Sequence, residues 1–440
     1  MDDSRVTVQR FSWPDLIPSL LIFRALPAAL SMTILILSLF AVAATPIGWI
    51  GAERVFVNDE VKAEPGMEET VMLNRSPYKM VFPKWSPTES LLRVLGAQLS
   101  GVELVFRTGV DSLSGIFSLN TGLRRFMYFF TGGIWTLIVW CFFGCAITRA
   151  ALMRFTRDEP IGIDDAFDYA IDKFLACFGG IMIPLLAVFG LAVPLAILGL
   201  VMTTNLGAAI GGFLWFIVLF FALAIAIILL GLTFAWPLII ASISAEGQDS
   251  FDGMTRAFSY VFQRPLHYFL YALIAVIFTG ICWAIAGLVI QGTIHTASWA
   301  VSWGANVRTD RMSELTGDIV EPTEAAEGEQ AAGDDGDQPS TIMAFGQRMM
   351  RFWNGVAMTF GAAFLYGLFW CVAAAMYVLL RKDLDDAEMD EIFLVDERRA
   401  YELPPLKDDE SGVPQVDEDA PAGPASQPDA PSAGESDDES

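Results

Sequence analysis

Histidine is almost missing from this chain: His267 and His295 are the two in 440 residues. Twenty-eight residues of helix between them amount to about 42 Å, so in a membrane-depth helix they stand near opposite faces and cannot share a metal ion or a proton. There is also no H-E-x-x-H, no G-x-S-x-G, no Walker A lysine loop and no G-x-G-x-x-G following a strand. Cysteine is scarce, and the five present, Cys141, Cys145, Cys177, Cys282 and Cys371, all lie in apolar runs, which makes a poor disulfide framework. Cys141 and Cys145 stand four apart on one helical face, and with no further ligand close in sequence they read as small apolar packing residues. The expectation is therefore no catalytic residue, no cofactor, no metal site and no enzyme.

Charge is low as well, 18% of residues against 54% hydrophobic, which departs from an average soluble domain in both respects. The net charge of -24 is confined to two stretches. Residues 309–340 carry -9 and residues 383–440 carry -17, so the rest of the chain sums to +2. A nearly neutral apolar body with acidic appendages offers no footprint for nucleic acid, because the appendages repel phosphate. The partners expected are the lipid bilayer and, through the acidic tail, other proteins.

Long stretches free of Asp, Glu, Lys and Arg are what the chain does have: 25–52, 126–148, 174–245, 265–307 and 352–380. A charge at the centre of a spanning helix costs about 2.5–3.5 kcal/mol on insertion scales, and a span needs about 20 apolar residues. Four runs hold one span each. The run from 174 to 245 is too long for one helix and is broken at Thr203-Thr204-Asn205-Leu206-Gly207, so it is read as a hairpin of two spans joined by a tight turn. The first run, although Ala41-Val42-Ala43 resembles a cleavage site, begins far from Met1 and is read as a retained span. The fold class expected is an all-α membrane protein: a bundle of about six transmembrane helices with interfacial amphipathic helices and a small extracytoplasmic loop region.

Basic residues set the orientation. Arg149, Arg154, Arg157 and Lys173 flank the second connection, Arg256 and Arg264 the fourth, and Arg381 with Lys382 the exit of the last span. Placing them inside makes the 1–24 segment and the 383–440 tail cytoplasmic and the 53–125 connection external, in a bacterial inner membrane. In that connection Val55–Val61 and Val71–Phe82 are β-leaning, and Ser86-Pro87-Thr88-Glu89 resembles a helix start; together they suggest a cap. The acidic 309–340 loop and the proline-broken tail are expected to be disordered.

The chain also repeats. Residues 163–173, containing Ala166-Phe167-Asp168-Tyr169, align with 254–264, containing Ala257-Phe258-Ser259-Tyr260, at a constant offset of 91, each ending in a base, Lys173 or Arg264, ahead of a span. Each reads as an amphipathic helix, with Phe251, Met254, Phe258, Val261 and Phe262 forming one stripe and Ile163, Phe167, Ala170, Ile171 and Phe174 the other. Equivalent helices belong on one side of the membrane, which requires an even number of spans between them. The units are 161–245 and 250–380, with Phe11–Arg24 and the first two spans a weaker third copy.

Trp236-Pro237, the acidic turn Glu246-Gly247-Gln248-Asp249-Ser250-Phe251-Asp252 and the stretch Ala257–Pro265 resemble the pattern of uncharacterised bacterial multi-spanning membrane proteins, over roughly 235–290. The resemblance implies a class and no mechanism. The aspartate row Asp164, Asp168 and Asp172 reads as a solvated face, favoured near a helix N-terminus, rather than a cation cage. Gly179-Gly180, Pro184, Gly190, Pro194 and Pro237 are candidates for broken helices around a transport site, whereas Gly207 and Gly211 form a small-xxx-small pair. A non-catalytic membrane scaffold is the reading preferred, ahead of a transporter or channel for an uncharged or lipidic solute. A cysteine placed at Ser436 in a cysteine-free background should resist impermeant thiol reagents in intact cells and react after permeabilisation; labelling of intact cells reverses the orientation.

Overall fold

The computed structural model describes residues 18–62, 67–75, 122–304, 341–385, 406–408 and 414–416. Among the described residues, six helices are long and apolar enough to cross a membrane. They are span 1, Met32–Phe56; span 2, Leu123–Thr156; span 3, Ile163–Val201; span 4, Trp215–Glu246; span 5, Pro265–Gly304; and span 6, Thr341–Asp385. The protein is thus a polytopic helical membrane protein, and in lipid only such fully hydrogen-bonded helices satisfy the backbone. Residues 76–121, most of the tail and the acidic loop expected at 309–340 lie outside the described residues, as does the helix start at Ser86. In the C-terminal unit, Leu406–Asp408 and Pro414–Val416 pair as a two-stranded antiparallel ladder.

Several boundaries differ from expectation. Pro18–Arg24 forms a 3₁₀ turn and Ala25–Ala29 a short helix, and span 1 starts at Met32 after Ser31 turns extended (ψ 143°). Leu21, Ile22 and Ala25 are buried, with this segment packed on span 6. Where β-leaning segments were expected, Asp59–Lys62 and Met67–Arg75 are helical. Met67 and Val71, one turn apart, cover Trp49 and Tyr128 at the ends of spans 1 and 2. Arg75 closes this cap with two parallel bonds to the Glu53 carboxylate, Nε to Oε2 and Nη2 to Oε1, both 2.5 Å. Between spans 3 and 4 the chain forms not a tight turn but a further helix, Asn205–Phe213, whose Thr204 hydroxyl accepts the Gly207 N–H at 3.0 Å.

Span 6 is the hub. It packs against spans 1, 2, 4 and 5 and against the N-terminal segment, and from residue 361 to residue 380 it is almost wholly buried, whereas Phe352, Trp353 and Phe360 before that are exposed. The run Cys371-Val372-Ala373-Ala374-Ala375 lets neighbours approach closely, while Trp370 and Tyr377 fill the space between them. Spans 3 and 4 behave oppositely. In the second half of span 3 and the first half of span 4 they expose Phe189, Ile197, Phe216, Phe220 and Leu230, side chains suited to lipid.

Spans 1 and 2 join by a reciprocal exchange. Trp135 occupies the space at Gly48 and Trp49 the space at Gly132, where an added Cβ would come within 2.1 and 2.3 Å of the rings. Each indole also finds an acceptor, Trp135 Nε1 on the Ala44 carbonyl and Trp49 Nε1 on the Thr136 hydroxyl, both 3.0 Å. Gly132→Ala should therefore cost about 1–3 kcal/mol through overpacking. Gly51→Ala, where an added Cβ meets nothing within 4 Å, should be neutral or stabilising. Thermal unfolding in detergent compares them, and equal effects would dissolve the interlock.

Candidate functional site

The polar chemistry of the described residues gathers where spans 1, 3 and 5 begin and spans 2, 4 and 6 end. A helix C-terminus leaves its last carbonyls without intrahelical donors and carries the negative end of the dipole, so it attracts cations. Each of the three helix ends receives one from the residue that precedes or opens its own pair of spans. Arg24 Nη1 donates to the Phe155 carbonyl at 3.3 Å, Lys173 Nζ to the Gly247 carbonyl at 2.7 Å, and Arg264 Nη1 to the Asp383 carbonyl at 3.0 Å. Gly247 itself ends span 4 in the left-handed conformation (φ 63°), which a glycine adopts without strain.

In two of the three units a tyrosine one turn before the cation reaches the same helix end. The Tyr169 hydroxyl donates toward the Ile243 and Ser244 carbonyls at 3.0 and 3.1 Å, and the Tyr260 hydroxyl donates to Asp385 Oδ2 at 2.6 Å. The 91-residue offset thus joins equivalent chemistry at 169 and 260 and again at 173 and 264. In the first unit the cation recurs and the tyrosine does not, since Leu20 stands one turn before Arg24. The copies also differ in backbone. Ile163–Val201 is one helix, its first turn fixed by Asp165 accepting the Gly162 N–H at 3.3 Å. Ser250–Gln263 is separate from span 5, because Pro265 drives Arg264 out of helical geometry (φ -131°, ψ 65°).

The buried faces of the two amphipathic segments are not the bulky stripes. Ala166, Tyr169 and Ala170 are buried in one, and Gly253, Ala257, Tyr260 and Val261 in the other, whereas Ile171, Phe251 and Phe262 are exposed. Small residues plus tyrosine face the bundle because the helices come close there. Phe167 packs edge-on to Phe142 and Phe143, and Phe258 sits over Gly231.

Glu246, the last residue of span 4, is the centre of the group. Its side chain is 12% exposed. Arg256 Nη1 and the Tyr377 hydroxyl both donate to Oε1, Arg381 Nε lies 3.3 Å from the same oxygen, and Gln248 Nε2 donates to Oε2 at 2.5 Å. A carboxylate withdrawn from water is costly unless paired and hydrogen-bonded, and here two guanidinium groups and two neutral donors surround it. Burial works to lower the Arg256 pKa, but the negative charge of Glu246 leads the effects that carry it upward overall, so Arg256 stays a cation. Burial, then the neighbouring Tyr377 and Asp385, raises the Tyr260 phenol, which keeps its proton for Asp385. An acid so fully occupied joins the unit ending at span 4 to the unit ending at span 6.

Of the other residues singled out in the sequence, Cys145 and Cys177 come together, with the Ser244 hydroxyl 3.5 Å from the Cys145 sulfur. His267 and His295 are both exposed, as are Asp164, Asp168 and Asp172, and all five cysteines are buried free thiols. Spans 3 and 4 run as unbroken helices through Pro184, Pro194 and Pro237. Gly207 and Gly211 serve the short helix between them, meeting the Val201 carbonyl and Met202 rather than a distant helix. Arg149, read from the sequence as an interfacial flank, is 5% exposed, donates to the Ser244 carbonyl at 3.1 Å and stacks 4.4 Å above the Tyr169 ring. Neither Arg149 nor Glu246 announces its burial in sequence, since each lies just beyond a charge-free run. One apolar crevice opens beside the group, between spans 4, 5 and 6.

No protein-family model, no curated protein and no solved structure matches the chain. Removing one partner of the joint is the direct test of its weight. Glu246→Gln should cost about 2 kcal/mol, the scale of hydrogen bonds to a charged group, and Lys173→Met up to about 1 kcal/mol. Asp168→Asn, on the exposed row beyond the first turn, should change nothing measurable in the same thermal-unfolding assay.

Proposed function

We propose that the protein is a non-catalytic scaffold of the bacterial inner membrane, its termini in the cytoplasm, which engages other proteins through its acidic segments 309–340 and 383–440. The observation that carries this reading is the burial of span 6 over residues 361–380, where it is enclosed almost throughout. The helix best placed to line a central pathway is packed by Trp370, Tyr377, Leu365 and Leu379 instead. Unbroken spans 3 and 4 support it further, because alternating-access transporters commonly use interrupted helices at the substrate. Glu246, Arg256 and Arg381 at the helix ends are occupied by one another, which suits a rigid platform. By its Trp236-Pro237 and Ala257–Pro265 pattern we group it with bacterial multi-spanning membrane proteins of similar layout.

A transporter for an uncharged or lipidic solute is the second reading, favoured by the apolar crevice between spans 4, 5 and 6. Photo-crosslinking from positions in 309–340 and 383–440 in living cells separates the two. Discrete protein adducts that disappear when the acidic segment is replaced by a neutral one of equal length are expected. Absence of such adducts, together with protein-dependent solute or lipid movement in proteoliposomes, would replace the scaffold by the transporter.

A further inference from the structure

The crevice has the position and dimensions of a lipid site. Its walls are Phe234 from span 4, Tyr268, Ala272 and Thr279 from span 5, and Phe369 and Met376 from span 6. Its lining runs about 16 Å along span 5, from Tyr268 to Thr279, and about 10 Å along span 6, from Phe369 to Met376, on the scale of the roughly 15 Å of one leaflet of a hydrocarbon core about 30 Å thick. The wall is apolar because the Tyr268 hydroxyl turns away to the Phe234 carbonyl, 3.0 Å distant. Exposed Val276 lies on its rim, so the crevice opens sideways, toward the bilayer.

At the end nearest the charged group stands Arg264, one helical turn before Tyr268. Arg264 is exposed, and of its five guanidinium donors one is directed to the Asp383 carbonyl. The neighbouring Asp383 carboxylate is engaged by the Tyr271 hydroxyl at 2.6 Å, which turns that acid toward span 5. An apolar slot within one leaflet, with a guanidinium at headgroup level, is complementary to a phosphodiester bearing a hydrocarbon chain.

We propose that this crevice holds one acyl chain of a phospholipid from the leaflet at the charged end, with the lipid phosphate against Arg264. The lipid then fills the seam between span 4 and the pair of spans 5 and 6, which adjoin there. This inference goes beyond the scaffold reading and survives its failure, since a bound lipid is compatible with either reading.

Native mass spectrometry of the whole protein released from mild detergent is the test, with phospholipid adducts counted. The wild type should retain about one phospholipid per chain through delipidation. Ala272→Phe, which fills the slot, should lower retention about tenfold, and Arg264→Gln several-fold. Leu273→Phe, on the exposed side of the same helix, should leave retention unchanged. Loss of lipid from Leu273→Phe equal to that from Ala272→Phe, or no retained lipid in the wild type, would overturn the proposal. Because Ala272→Phe can disturb folding, the wild type is also reconstituted with phosphatidylglycerol bearing a photoactivatable acyl chain. Adducts concentrated on the peptides containing Ala272 and Ala373 are expected, and adducts spread evenly over exposed Phe216, Phe220 and Leu230 would indicate annular lipid and refute the site.

Discussion

A helix that crosses a bilayer satisfies its own backbone everywhere except at its ends, and the last carbonyls of each helix must find donors elsewhere. Three spans of this chain end on the same side, and each is met by a cation from the start of its own helical pair: Arg24, Lys173 or Arg264. The geometry closes each pair into a unit. The remaining polar contacts at that end, from the Tyr169 hydroxyl on Ser244 to the Tyr260 hydroxyl on Asp385, elaborate the same requirement. Glu246 then joins two units, because its carboxylate attracts Arg256 and Arg381 from different helices.

Within the membrane there is little hydrophobic force between helices, so packing rests on shape and close approach. The chain meets this by opposing large aromatics to glycine or alanine. Trp49 and Trp135 enter each other's helices at Gly132 and Gly48, and Trp370 lies over Gly144. Span 6 gathers these contacts, whereas the distal parts of spans 3 and 4 keep large side chains exposed. The bundle is therefore tight around span 6 and loosely attached at the 3–4 hairpin. The apolar crevice falls at the seam between span 4 and spans 5 and 6.

The repeat has kept its contacts more faithfully than its backbone. Tyr169 and Lys173 sit on an unbroken helix and Tyr260 and Arg264 on a broken one, yet both pairs reach the end of their own partner span. Pro265 accounts for the difference, since it removes an N–H and forces the residue before it out of helical geometry. The first unit keeps the cation alone, which explains why sequence spacing shows it so faintly.

What the sequence by itself determined is the existence, number and approximate limits of the spans, because the cost of burying charge and the thickness of a bilayer are written in runs such as 126–148 and 352–380. It also brought segments 163–173 and 254–264 together as an expected repeat, because A-F-x-Y followed by a base recurs at one offset. The tertiary structure alone decided which face of those segments is buried: hydrophobicity favoured the phenylalanine stripe, but close helix approach selected Gly253, Ala257 and Tyr260. It alone decided that Met67–Arg75 is helical, since Met67 and Val71 gain burial against Trp49 and Tyr128 only when spaced as a helix spaces them. The burial of Glu246 and Arg149 is likewise tertiary. A charge at the end of an apolar run is exposed or enclosed according to which helices arrive beside it, and for Glu246 they come from residues 256, 377 and 381, which no local pattern connects.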